Sequence, residues 1–382
     1  MSFAAFDTHL THQHRSDERL AGKMKVGLFL HRYFPFGGQQ RDFLGVAKAL
    51  IAEGHTPEVF VMDKTEPIPL PDDVPIHCIR CNAMTNAGQA KQFSVKASSL
   101  ADQLGVNVRL GFVKMQKLDF YFCADPCLRA KVPSWKACLP RYRTYLQLEA
   151  ETFRKESKTR YFALADEQVE AYANYYGVDW HRFEVLLPNL HPSLQNGSSE
   201  REPGLRVLFV GSDFRRKGLD RLLAACAKID GRQGDVQLEI IIVGKGEVPS
   251  DLCQACEKNG WMVRAVGPQL DVRSFYATSS VLIHPARSEP GGLVLLEAMS
   301  QGLPVIATDV CGYARFVREG NAGWVLSETS IEESLPKILQ EILSSPATLT
   351  QKGAKALSYV HAKDFFSSHY HIAKTLLQGV VA

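Results

Sequence analysis

Apolar residues fall along this chain in short blocks separated by longer stretches of mixed character. "MKVGLFL", Met24 to Leu30, is short, apolar and β-prone, as expected of a strand buried on both faces. Pro35, Gly37 and Gly38 then punctuate a turn. From Gln39 onward Phe43, Val46, Ala47, Leu50 and Ile51 recur at helical spacing, and Gly54 closes the helix. "EVFVMD" reads as the next strand. This β-α-β opening predicts an α/β domain, a parallel sheet with helices on both sides.

The alternation returns in the second half. "LRVLFVG", "LEIIIVG", "SVLIHPA" and "PVIAT" read as strands, and "KGLDRLLAACAKI" and "GGLVLLEAMSQG" as helices between them. "HPSLQNGSSEREPG" is polar, rich in Gly, Ser and Pro, and has no period, which marks a linker over residues 191–204. The expected arrangement is a first Rossmann-like domain over 23–190 and a second over 205–362. A C-terminal helix in about 363–382 would pack back on the first. Two doubly wound domains joined by a hinge imply an interdomain cleft. Ligands of such sheets lie beyond the carboxyl ends of the strands.

Composition narrows the class. The 382 residues are 45% hydrophobic, enough for two cores. A net charge of +3 gives no global reason to expect nucleic acid. No stretch approaches the roughly 18 apolar residues of a membrane helix. Residues 1–22 lack the apolar core of a secretory signal and read as a disordered leader, with His9, His12 and His14 in a floppy polar tail. Cys78/Cys81 and Cys253/Cys256 form two C-x-x-C pairs about 170 residues apart, too distant for a zinc ribbon. Unpaired thiols of a reducing cytoplasm fit better.

Five segments carry candidate chemistry. In "SEPGGLVLLEA", Glu289 and Glu297 flank the start of a helix expected near Gly291. The free N–H groups of Gly291, Gly292 and Leu293 would make an anion site there. Glu297 should lie about two turns further on, roughly 10 Å along the axis. Carboxylates accept hydrogen bonds from sugar hydroxyls, so the pair could grip the two sugars of a nucleotide diphosphosugar. A glutamate within "LVLLEAM" also calls for a buried partner. "GSDFRRKG" places Arg215, Arg216 and Lys217 at a strand's carboxyl end, where they could stabilise a leaving diphosphate with no metal required.

"FPFGGQQRDF" is not a dinucleotide fingerprint; Gly37 and Gly38 offer N–H groups at a helix start, and Asp42 would cap or pair locally. In "LDFYFCADPC", Asp125 ends a strand, where it could assist deprotonation of an acceptor hydroxyl or simply shape a turn before Pro126. His284 in "LIHPA" reads as a satisfied strand-end histidine rather than a base. Between Arg129 and Arg160, nine Lys/Arg face Glu149, Glu151 and Glu156, with Trp135, Tyr142, Tyr145 and Phe153 interspersed. That mix suits an anionic bilayer or glycolipid, or an exposed helical face. Pro133 and Pro140 argue against one unbroken membrane helix.

Together these segments resemble the retaining GT-B glycosyltransferases. "SEPGGLVLLEA" is similar to their E-x7-E signature and "GSDFRRKG" to their Arg-Lys diphosphate clamp. With "RYFPFGGQQRDF", "LDFYFCADPC" and "VLLEAMSQGLPVIATDVCGYA", the likeness runs from about Met24 to Gly323. It points to the glucosyltransferases of the bacterial lipopolysaccharide core. The loop after "FEVLLP" lacks the glycine such enzymes usually carry.

The resemblance implies that Glu289 holds the donor hexose and Glu297 the ribose. Arg216 and Lys217 would bind the diphosphate, and the Gly37–Gly38 loop would lie under the phosphates and donor sugar. Asp125 would take the acceptor-side position. It further implies UDP-glucose as donor, no cofactor and no metal. The acceptor would be an inner-core heptose at the cytoplasmic leaflet, reached through an anionic inner-membrane surface by residues 129–160. The rival readings are a transferase for another sugar or acceptor, a nucleotide-sugar epimerase or hydrolase on the same fold, and a non-catalytic carbohydrate- or lipid-binding module.

Overall fold

The computed structural model describes residues 24–34, 38–195, 197–198, 204–231, 237–269, 271–289 and 291–378. The expected leader, Gly37 and part of the expected linker lie outside the described residues. The chain divides into two units, Met1–Leu187 with Ser367–Ala382, and Pro188–Phe366.

The first unit is built on seven strands: β1 (Lys25–Tyr33), β2 (Thr56–Lys64), β3 (Ile76–Cys78), β4 (Val108–Gly111), β5 (Phe120–Phe122), β6 (Arg160–Ala163) and β7 (Phe183–Val185). They lie in the order β3-β2-β1-β4-β5-β6-β7, every described pairing parallel. The second has β8 (Leu205–Ser212), β9 (Leu238–Lys245), β10 (Trp261–Gly267), β11 (Val281–His284), β12 (Val305–Thr308) and β13 (Gly323–Leu326). Their order is β10-β9-β8-β11-β12-β13, again parallel. Both are doubly wound Rossmann-like sheets. The strand order reverses between β1 and β4 in one and between β8 and β11 in the other. Those reversals are where such sheets open a crevice at their carboxyl ends.

Helical spacing in the first unit is realised in the helix Gly38–Ala52. It buries Phe43, Val46, Ala47 and Leu50 against β1, while Ile51 is only partly covered. The same core takes Ile372, Ala373 and Leu376 from the helix Ser368–Gln378. His369 of that helix lies over Gly45 and sets Nε2 3.1 Å from Asp42 Oδ1. The partner of Asp42 is therefore 327 positions away, not local as its sequence context suggested.

The C-terminal helix also starts later than expected. Residues Ala347–Ala362 form a separate helix, and Asp364 and Phe365 leave helical geometry. Asp364 Oδ1 accepts from Phe366 N, while Phe365 is buried edge-on to Phe316 and its carbonyl accepts from Leu190 N. The local Asp364 turn and the long-range contacts of Phe365 displace the helical bonds.

On the other face of the first sheet the core is aromatic. The Phe153 ring stacks 3.8 Å from Tyr172 and 4.7 Å from Tyr161, and meets Tyr121 edge-on at 5.5 Å. Phe153 ends the helix Pro140–Thr152, so this stack anchors the basic segment to the sheet. That segment is three short helices, Leu128–Lys131, Ser134–Ala137 and Pro140–Thr152. Pro133 and Pro140 sit at helix starts, where a missing N–H costs nothing. Truncation of Phe153 to Ala should lower the stability of the first unit by about 3–5 kcal/mol, read as a lower urea midpoint, with Phe153→Leu losing clearly less.

Candidate active site

The strand-order reversal of the second sheet places the ends of β8 and β11 side by side. After β8 the chain turns through Asp213, whose φ of 58° is left-handed, into the single turn Phe214–Lys217. Gly218 (φ 82°) ends that turn, and the helix the sequence predicted from Lys217 begins just past it, at Leu219–Cys226. A Cβ on Gly218 would fall 2.0 Å from the Pro285 carbonyl oxygen. Only glycine permits that approach, and it brings the two strand ends into register. Arg287 N then donates to the Arg216 carbonyl at 2.9 Å, and the Arg287 guanidinium grips both Asp220 oxygens at 2.8 Å.

This approach brings Glu289 against two cations. Its Oε2 is in direct contact with Lys217 Nζ and 3.7 Å from Arg216 Nη1. Arg216 is held by Asp213 Oδ2 at 2.9 Å and the Ser288 carbonyl at 2.7 Å. Lys217 and Glu289 are nearly buried, their side chains 13% and 11% exposed. Burial, then the Arg216 charge, pull the Lys217 ammonium down to about 8. Contact with the Glu289 carboxylate acts in the opposite direction. Arg215 does not join the cluster; it is exposed and lines a separate cavity of about 520 Å³ beside Phe214 and Val248.

His284, at the end of β11, was expected to be satisfied and is not. It is fully buried, and neither ring nitrogen has a hydrogen-bond partner among the described residues. Burial first, then Lys217 and Arg216, pull its pKa down to about 3, so the ring is neutral. Its Nε2 lies 3.5 Å from Glu289 Oε2.

The helix after Glu289 begins at Leu293, not near Gly291. Glu289 and Gly291 first run beside Cys311–Tyr313: their carbonyls accept from Gly312 N and Tyr313 N at 3.0 and 2.9 Å. Gly292, left-handed at φ 99°, then turns the chain into the helix. The N–H groups of Leu293 and Val294, in the first turn, therefore lack helical partners. Glu297 is half-buried on this helix, and Tyr276 OH donates to its Oε2 at 2.8 Å.

Asp125 and Gly38 belong to the first unit, beside its own reversal between β1 and β4. A Cβ on Gly38, which starts a helix, would meet nothing within 4 Å. Asp125 borders a cavity of about 560 Å³ at the carboxyl ends of β1, β4 and β5, with His31, Arg32, Lys114 and Tyr145 among its walls. Its backbone is fixed from behind, its carbonyl accepting from Tyr172 OH at 3.0 Å.

Sequence reasoning missed the residue that secures this loop. Glu149, counted there among surface charges, is fully buried. It accepts from Lys114 Nζ at 2.5 Å, Leu128 N at 2.8 Å, Arg129 N at 2.9 Å and Tyr176 OH at 2.7 Å. Burial acts to raise its pKa, but Lys114 and the other donors outweigh that and hold it below the ordinary carboxylate value. Glu149 so ties the start of the helix Leu128–Lys131, just past Asp125, to the sheet. Only the position of Glu149 between Leu148 and Ala150 hinted at burial.

The family model for glycosyl transferases group 1 matches residues 193–357, which fall within the second unit. Over 381 residues the chain is 32% identical to the lipopolysaccharide glucosyltransferase WaaG of Escherichia coli (strain K12), spanning 94% of this chain and 100% of the relative. The chain belongs to the group 1 glycosyltransferases. The crystal structure of WaaG superposes with a TM-score of 0.77 at 30% identity, covering 92% of this chain and 99% of that one. Anabaena HepE, solved with UDP and glucose, shares the fold at a TM-score of 0.67 and 17% identity, over 93% of this chain and 100% of its own. This glycosyltransferase therefore has the GT-B fold of two Rossmann-like domains.

Replacing Glu149 by Ala strands the Lys114 charge in the interior and should cost about 3–5 kcal/mol. Glu149→Gln, which keeps the shape but can accept fewer of the four hydrogen bonds, should fall between Ala and the native residue in thermal melting.

Proposed function

We propose that this glycosyltransferase moves a hexose, glucose from UDP-glucose in the first instance, onto an inner-core heptose of lipopolysaccharide, with retention and without a metal. One observation carries the reading: a lysine and an arginine converge on one carboxylate at the strand-order reversal of the second sheet. A diphosphate entering beside Arg216 and Lys217 finds two cations with little room for water, the setting in which developing negative charge is best stabilised. Glu289 holds Lys217 until the donor arrives and then accepts from hydroxyls of the hexose. Glu297, steadied by Tyr276, accepts from the ribose.

In the transfer step the bond from the anomeric carbon to the diphosphate breaks and UDP leaves with the electron pair. The acceptor oxygen forms its bond on the same face. The departing phosphate oxygen takes the acceptor proton, and Asp125 orients that hydroxyl. The likeness to WaaG, a lipopolysaccharide glucosyltransferase, supports donor and acceptor class alike.

The basic segment supports work at the cytoplasmic face of the inner membrane. With Glu149 buried, only Glu151 and Glu156 offset its nine cations. Trp135 and Leu139 are exposed on it, 69% and 46%, and Lys136 lies over the Trp135 ring. No helix of the described residues is long and apolar enough to cross a membrane. Attachment would then be peripheral, through interfacial aromatics and charge.

Purified protein should release UDP only when both UDP-glucose and a truncated core acceptor are present. Release from donor alone would favour the hydrolase reading. Arg216→Ala should cut transfer about 100-fold or more with melting temperature little changed, and Glu289→Ala should cut it as far while also lowering the melting temperature, because it leaves the nearly buried Lys217 without its carboxylate. Burial and the Arg216 charge hold Lys217 below the ordinary ammonium value, so on the alkaline side it loses its proton as pH rises and the donor kcat/KM should fall. In Lys217→Arg that fall should move to higher pH, because guanidinium keeps its charge. Co-sedimentation with vesicles should require anionic lipid, weaken with salt and weaken in Trp135→Ala.

A further inference from the structure

The cavity of the first unit is more cationic than binding of a neutral sugar requires. Four cations border it, Arg32, Lys114, Lys131 and Arg141, against one carboxylate, Asp125. Lys114 is neutralised by Glu149 behind the wall. The other three have no carboxylate partner among the described residues; Arg32 has only the Gln89 amide oxygen at 3.4 Å. Even with Asp125 on the same wall, these three exposed cations leave a net positive rim around a concave space of about 560 Å³, which favours an anion within it.

Two further features mark the space as a binding site. Tyr142 and Tyr145 line it beside Arg141, one helical turn apart on Pro140–Thr152, and add hydroxyl donors. His31 lines it from β1, with Nε2 buried and without a hydrogen-bond partner among the described residues. A buried, unpartnered ring nitrogen on a polar wall is costly unless a ligand or water meets it. Lys131 and Arg141 come from the same segment that exposes Trp135 and Leu139, so a glycolipid held at a bilayer by that segment would present its charged sugars close to this wall.

We infer that this cavity is an anion subsite for the acceptor: Arg32, Lys131 and Arg141 seat a phosphate or carboxylate that the acceptor carries beside the sugar to be modified. The inference rests on the proposed function, because it takes Asp125, on the same wall, as the point where the acceptor hydroxyl arrives. The fixed anion sets the register of the acceptor on Asp125, and an uncharged glycan of the same shape would bind without it.

The test uses deacylated, water-soluble core acceptor, so that attraction to a bilayer plays no part. Transfer is measured on the native form, on a form stripped of phosphate with hydrofluoric acid, and on a form with its carboxyls reduced. The wild-type kcat/KM should fall at least about 10-fold on one of the two altered acceptors, which identifies the anion. In Lys131→Gln/Arg141→Gln the acceptor KM should rise about 10-fold on the native form, with donor KM and melting temperature unchanged. The penalty for removing the anion should then largely vanish. An unchanged acceptor KM in the variant, a penalty that persists in full, or a rise in donor KM instead would overturn the subsite. Absence of transfer by the wild type to the native acceptor would instead overturn the proposed function, since donor and acceptor binding by the two proteins is compared separately by calorimetry.

Discussion

The contact between Lys217 and Glu289 organises the second unit's chemistry, and it exists because two strand ends are forced together. Gly218 lets the chain pass against the Pro285 carbonyl, and Arg287 locks the approach through Asp220 and the Arg216 carbonyl. With that geometry set, the carboxylate meets the lysine directly. Both are nearly dry, so their attraction is far stronger than a surface pair's, and so is the pull on any diphosphate that competes for the cations. The pair is at once a stabilising contact and a site held ready for an anion.

The first unit solves a different problem with the same type of device. Its carboxylate, Glu149, is satisfied entirely from within and takes no ligand. Its work is to hold the loop of Asp125 and the basic helices against an aromatic stack centred on Phe153. A buried charge is expensive unless fully bonded, and four donors meet that condition. The rigid backing leaves Asp125, Lys131 and Arg141 to face one cavity whose cations outnumber its carboxylate.

His284 shows the limit on how such sites are built. A fully buried imidazole with no hydrogen bond among the described residues opposes folding, yet it sits where β11 ends and the donor-side loop begins. Two neighbouring cations and burial keep it neutral, so it adds no third positive charge beside Lys217 and leaves Glu289 to the lysine. Strain of this kind concentrates at functional sites, where geometry is held at some cost in stability.

Local pattern alone determined the parallel α/β class, the helix face of Phe43, Val46, Ala47 and Leu50, and the grouping of basic and acidic residues at strand ends. Each follows from side-chain period or from the rule that doubly wound sheets place ligands at carboxyl ends. The tertiary structure decided which of those groups meet. It separated Arg215 from Arg216 and Lys217, paired Asp42 with His369 across 327 positions, and moved Glu149 from surface to core. Those outcomes depend on contacts between residues far apart in the chain, where desolvation and close approach outweigh local preference, and no window of sequence contains both partners.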